Sequence, residues 1–90
     1  MQKTKKAIKK SAKAVDADVE LKKLGARIKA LRLKKGYTNY ENFAFEHNIP
    51  RAQFGRYERG EDLRYSSLLK VIRALGLTQK EFFSAGFDLE

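Results

Sequence analysis

Cysteine is absent from this chain of 90 residues, which excludes disulfides and thiolate metal sites and makes a reducing cytoplasm the expected setting. No apolar run is long enough to span a membrane, and no charged, apolar, small-residue sequence reads as a secretory signal. Histidine occurs only at His47, near an expected helix end, where a lone imidazole is more often solvent-facing than a base or ligand. No serine or threonine stands in a nucleophile motif, and no glycine-rich loop could cradle a phosphate. Asp16, Asp18 and Glu20 alternate as a metal cluster would, but the acidic start of a helix explains them more simply. Strand alternation and internal repeats are missing too. Catalysis therefore has little support, and neither a cofactor nor a metal is expected.

What the chain has in excess is positive charge. The formal net charge is +9, which favours a polyanionic partner. Its distribution is uneven: Lys3, Lys5, Lys6, Lys9, Lys10 and Lys13 all precede the first acid, Asp16. Residues 1–17 are expected to form a basic arm, disordered in isolation, that lies along phosphates or reaches into a minor groove. A solvated tail is the competing reading. A basic amphipathic helix on a membrane surface is disfavoured, because only Ile8 and small alanines could form its apolar face.

The remainder is long enough for one modest core. Leu21, Leu24, Ile28 and Leu31 step by three and four, which predicts a long first helix from about Asp18 to Lys35, and Gly36 can close it. Thr38 and Glu41 have the spacing of a capping box, so a second helix is expected to start at Thr38 and to end at Asn48 in a left-handed conformation. Pro50 suits a first helical position, and a third helix from about Arg51 to Arg59 should stop at Gly60. Phe54 and Tyr57 would face inward on it. Arg51, Ala52, Gly55 and Arg56 would face outward, with Gln53 on the border. Leu68, Leu69, Ile72 and Leu75 predict a fourth helix ending at Gly76. Thr78 and Glu81 form a second capping box that opens a short fifth helix.

Two short helices joined by a tight turn, with arginines on the outer face of the second, are the layout of a helix-turn-helix DNA reader. From about Leu24 to Phe83 the chain resembles the Cro/Xre-type regulators, the family of the phage lambda repressor. The resemblance runs through LGARIKALRLKKG, ENFAFEHNI, PRAQFGRYERG and SLLKVIRALGLTQKEFF in order. It implies an all-α, five-helix lambda repressor-like DNA-binding domain over residues 18–85, with a short tail at 86–90. It implies that Arg51, Ala52, Gln53 and Arg56 face bases, with Asn39, Tyr40, Arg59 and Arg64 as expected phosphate contacts. It also implies that Arg32 and Glu58 form a buried ion pair. The loop before the second helix is one residue longer than usual, Tyr40 stands where the family usually has glutamine, and Glu61 and Asp62 stand where lysine is more common.

The chain is thus expected to be a sequence-specific double-stranded DNA-binding transcription regulator that represses by occluding a promoter. An antitoxin with a toxin partner and a protein-interaction module on the same fold are the alternatives. A homodimer is expected, because one short recognition helix reads only a few base pairs. Phe82 and Phe83 are adjacent, and Phe87 follows in a short tail, so these three are the expected dimer surface; the competing reading folds the tail back to complete the monomer's core.

Overall fold

In the computed structural model the described residues, 16–87, carry five helices: α1 (Ala17–Lys34), α2 (Tyr40–Glu46), α3 (Arg51–Glu58), α4 (Tyr65–Ala74) and α5 (Gln79–Phe82). The expected arm lies outside the described residues except for Asp16 and Ala17, and Ala17 already belongs to α1. Of the expected tail, Gly86 and Phe87 are described.

Local side chains fix where the helices begin. The Asp16 Oδ1 accepts the Asp18 amide at 3.1 Å and the Val19 amide at 3.3 Å, while Asp18 and Glu20 sit in the first turn, where the helix dipole favours negative charge. α2 begins one residue later than the Thr38 spacing predicts. Asn39 is its cap, with Oδ1 accepting the Glu41 amide at 2.6 Å and the Asn42 amide at 3.3 Å. Glu41 then falls at the second helical position rather than the third, so it cannot close a capping box. Pro50 is likewise the cap of α3 and not its first helical residue. Its ψ of 124° is extended, and its carbonyl accepts the first α3 bond from the Phe54 amide at 2.9 Å. At α5 the reciprocal box forms: Glu81 N donates to Thr78 Oγ1 at 3.1 Å, and Thr78 N to Glu81 Oε1 at 2.9 Å.

The two helices of the helix-turn-helix pair end in one pattern. At Asn48, φ is 57°; Ile49 N donates to Ala44 O at 2.9 Å and Asn48 N to Phe45 O at 3.3 Å. This pair of bonds is a Schellman motif, and it turns the chain sharply enough for α3 to start almost at once. Gly60, at φ 90°, closes α3 with the same pair of bonds, from Glu61 N to Arg56 O at 3.0 Å and from Gly60 N to Tyr57 O at 3.1 Å.

The core is built from Ile28, Phe43, Ala44, Phe54, Tyr57, Leu68, Val71, Ile72, Leu75 and Phe82. Of the expected α1 stripe only Ile28 is fully buried, and Leu21, Leu24 and Leu31 are half-buried. The rest of the buried face of α1 is Gly25 and Arg32. A Cβ on Gly25 would lie 2.6 Å from the Glu58 carbonyl oxygen and 2.7 Å from that of Tyr57, so the α1 backbone rests directly on the last turn of α3.

Phe82 corrects the expected dimer surface. Its side chain has no exposed area and belongs to the monomer's core, because the turn of α5 points it inward beneath α1. Phe83 remains 43% exposed, and Phe87 folds back to half-burial with its ring centroid 5.0 Å from that of Phe83. Phe82 and Phe87 thus help complete the monomer's core, and Phe83 faces out.

Candidate nucleic-acid interface

The second helix of the helix-turn-helix pair presents one polar face. Arg51, Ala52, Gln53 and Arg56 are all exposed on α3, and Arg59 continues that face at its cap. No side chain caps the start of α3, so its first-turn amides stay open on the same side. Gln53, Arg56, Arg64 and Ser67 line one polar cleft between α3 and the start of α4, where Arg64 is the cap residue in extended conformation.

Gly55 does not belong to this face. It is buried, and a Cβ there would meet the Tyr40 ring at 3.0–3.2 Å. The missing side chain therefore makes room for an aromatic ring of α2 rather than for an approaching partner. Tyr40 is half-buried in consequence, with its ring also 6.5 Å from that of Phe54, so its first task is to pack α2 on α3. Asn39 uses its side-chain oxygen to cap α2, which leaves the amide NH₂ group out of the cap.

Beneath α3, Arg32 forms a two-pronged ion pair with Glu58. Nε donates to Oε2 at 2.7 Å and Nη2 to Oε1 at 2.9 Å, with side chains only 4% and 8% exposed. The third guanidinium nitrogen, Nη1, donates to the Tyr37 carbonyl at 2.7 Å, so the loop before α2 is tied to the same centre. Burial of two charges is tolerable only when their hydrogen-bonding capacity is met in this way. An aromatic cluster holds the other side: the Phe43 ring lies 5.1 Å from Phe54, 5.1 Å from Tyr37 and 4.5 Å from His47. His47 is therefore half-buried against aromatic rings instead of facing solvent. The Tyr37 hydroxyl donates to Glu46 Oε1 at 2.6 Å, and this bond holds the phenol above its ordinary pKa.

The geometry is that of a pre-set reading helix whose inner face is locked and whose outer face carries guanidinium groups and amides. Among solved structures, the chain is similar to the restriction-modification controller protein C.AhdI from Aeromonas hydrophila, with 33% identity, a TM-score of 0.65, and coverage of 72% of this chain and 98% of that one. It is similar also to the wild-type restriction-modification controller protein C.Esp1396I, with 31% identity, a TM-score of 0.64, and coverage of 71% and 83%. The chain belongs to the Cro/Xre-type helix-turn-helix family. As a Cro/Xre-type protein it is a sequence-specific DNA-binding transcription regulator. No family model and no curated protein matches it.

Gly25 and Arg27 of this Cro/Xre-type domain escape a reading of the sequence, and Glu61 shows there only as an acid where lysine is more common. Gly25 sits inside a run of good helix formers with no turn signal beside it, and only the α1–α3 approach explains it. Arg27 looks like one more cation on a polar face. Its Nε donates to the Phe82 carbonyl at 2.7 Å and its Nη2 to that of Glu81 at 3.0 Å, so it closes the end of α5. Glu61 has its carboxylate between two arginines, with Oε1 3.7 Å from Arg56 Nε and Oε2 3.9 Å from Arg59 Nη2.

Proposed function

We propose that the chain binds double-stranded DNA as a homodimer on an inverted repeat and controls linked genes, restriction-modification genes in the first instance, by occupying their promoter. The observation that carries this reading is the 33% identity over 98% of C.AhdI, a protein described as a restriction-modification controller. In this reading α3 enters the major groove. Arg51 and Arg56 supply forks that match guanine O6 and N7, Gln53 suits adenine, and the Ala52 methyl suits thymine. Asn39, Tyr40, Arg59 and Arg64 surround that face and contact phosphates, and the lysines of residues 3–13 add sequence-independent attraction. Phe83 and Phe87 form the dimer surface, together with Leu21, Leu24 and Leu68 in the apolar groove they share.

Selection from a random pool of duplex DNA tests the proposal. An enriched inverted repeat with half-site centres roughly 34 Å apart, or a multiple of that, is the expected result. Replacing Arg51 or Arg56 by alanine should then cost about 1–3 kcal/mol on that site and relax preference at one base pair. Recovery of no preferred sequence would overturn the reading in favour of a protein-interaction module.

A further inference from the structure

Resting on the assignment of Arg56 to a base, we propose that Glu61 is a positioning residue for Arg56 and a brake on binding to DNA of the wrong sequence. Glu61 follows the glycine that closes α3, yet it is not a free loop residue. Its amide donates to the Arg56 carbonyl at 3.0 Å, which draws its backbone back over the last turn of the recognition helix. The side chain continues in the same direction, and its two oxygens face Arg56 Nε at 3.7 Å and Arg59 Nη2 at 3.9 Å. The neighbouring acid is used differently: Asp62 Oδ1 accepts its own turn's Leu63 amide at 2.8 Å.

These separations are too long for hydrogen bonds, so the attraction is Coulombic and, at half-exposed side chains, weakened by water. Docking on DNA excludes that water and strengthens it. The nearest approach of the carboxylate is to Nε and is no hydrogen bond, and among the described residues no side-chain hydrogen bond engages Arg56, so its guanidinium can still turn a pair of N–H groups to guanine O6 and N7. Glu61 also removes one positive charge from the Arg56–Arg59 pair at the site where phosphates approach. That loss weakens contacts that need only charge, and the base contact depends on geometry as well. Discrimination often comes from such a repulsive element.

The test uses the full chain, the selected operator, its single-base-pair variants and random-sequence duplex, each titrated at several salt concentrations. Glu61→Gln should bind random DNA several-fold tighter, with a salt slope steeper by about 0.9 for each additional phosphate neutralised. Its discrimination at the base pair read by Arg56 should fall by about two- to five-fold. Glu61→Asp keeps the charge but shortens the reach, so it should preserve the salt slope and lose the discrimination. In an Arg56→Ala background, Glu61→Gln should cause no further loss at that base pair. All variants should melt with the parent, since the side chain lies outside the core. Arg56→Ala that leaves every base preference intact overturns the base assignment and the inference with it. Arg56→Ala that relaxes one base pair while Glu61→Gln relaxes none overturns the inference alone.

Discussion

α1 holds the two ends of the molecule with two arginines, and it holds them by different chemistry. Arg32 grips the recognition helix through a carboxylate, with both partners buried and the fork geometry satisfied on each side. Arg27 grips α5 through two backbone carbonyls at a half-exposed site, with the Phe82 ring 5.9 Å from its guanidinium carbon. A two-pronged charge pair fixes both angle and register, because both of its bonds must be met by one carboxylate. Carbonyls are offered by any helix end. The reading unit is thereby tied to a specified geometry, while the C-terminal end is fastened by a more generic contact and leaves an aromatic ring facing out.

The comparison is tested most severely at Arg32. Arg32→Ala leaves the Glu58 carboxylate buried without a partner and frees the Tyr37 carbonyl, so the fold should lose about 3–5 kcal/mol. Urea titration followed by circular dichroism measures it. A variant that unfolds with the parent would mean that the angle of α3 is set by packing at Gly25 and the aromatic cluster, and not by the charge pair.

Arg27→Ala should cost less, about 1–3 kcal/mol, because the carbonyls of α5 regain water when the guanidinium is removed. The loss should be local. Amide exchange in α5 should accelerate, while that of α2 and α3 stays near the parent's. Equal acceleration across both ends would erase the proposed difference between the two clamps.

The same contrast explains what can be read from the sequence. Helix order, the left-handed Asn48, the Thr78–Glu81 box and the outward arginines all rest on contacts between near neighbours in the chain, so spacing alone reveals them. At the starts of α2 and α3 spacing errs by one position, since adjacent residues compete to cap and only the loop's path decides between them. Gly25, Gly55, Arg27 and Phe82 depend on partners distant in sequence or on a helix crossing, and their local sequence is silent about both. The Arg32–Glu58 geometry is distant too; it is legible only through resemblance to a family, not through spacing.

Within the reading unit, Gly55 offers a smaller test with a sign that can be reversed. Alanine in a helix is about 1 kcal/mol better than glycine where space permits. Here the new methyl would press on the Tyr40 ring at 3.0 Å, with Phe54 behind it, so Gly55→Ala should destabilise by about 1 kcal/mol. In a Tyr40→Ala background the same substitution should become stabilising. A stabilising effect in both backgrounds would show that the ring moves aside freely and that α2 and α3 are less tightly coupled than the charge pair suggests.

The smallest expected change in stability, and the sharpest test of the C-terminal end, is at Phe83. Phe83 is 43% exposed and rests edge-on against Phe82 at 4.9 Å, so Phe83→Ser should shift unfolding by no more than about 1 kcal/mol. Self-association should respond far more strongly. The groove beside Phe83 is lined by Leu21, Leu24 and Phe87 over the buried Leu68, and a two-fold pairing of chains would cover Phe83 and these three half-buried side chains at once. Sedimentation across a concentration series should show the parent shifting from monomer to dimer, with Phe83→Ser remaining monomeric at the same concentrations. Half-site affinity should be unchanged in the variant, and cooperative binding to the inverted repeat should be lost. A variant that dimerises like its parent would place the interface elsewhere. One that instead melts well below the parent would mean that Phe83 serves the monomer's own core, and that the C-terminal end is as specifically packed as the reading unit.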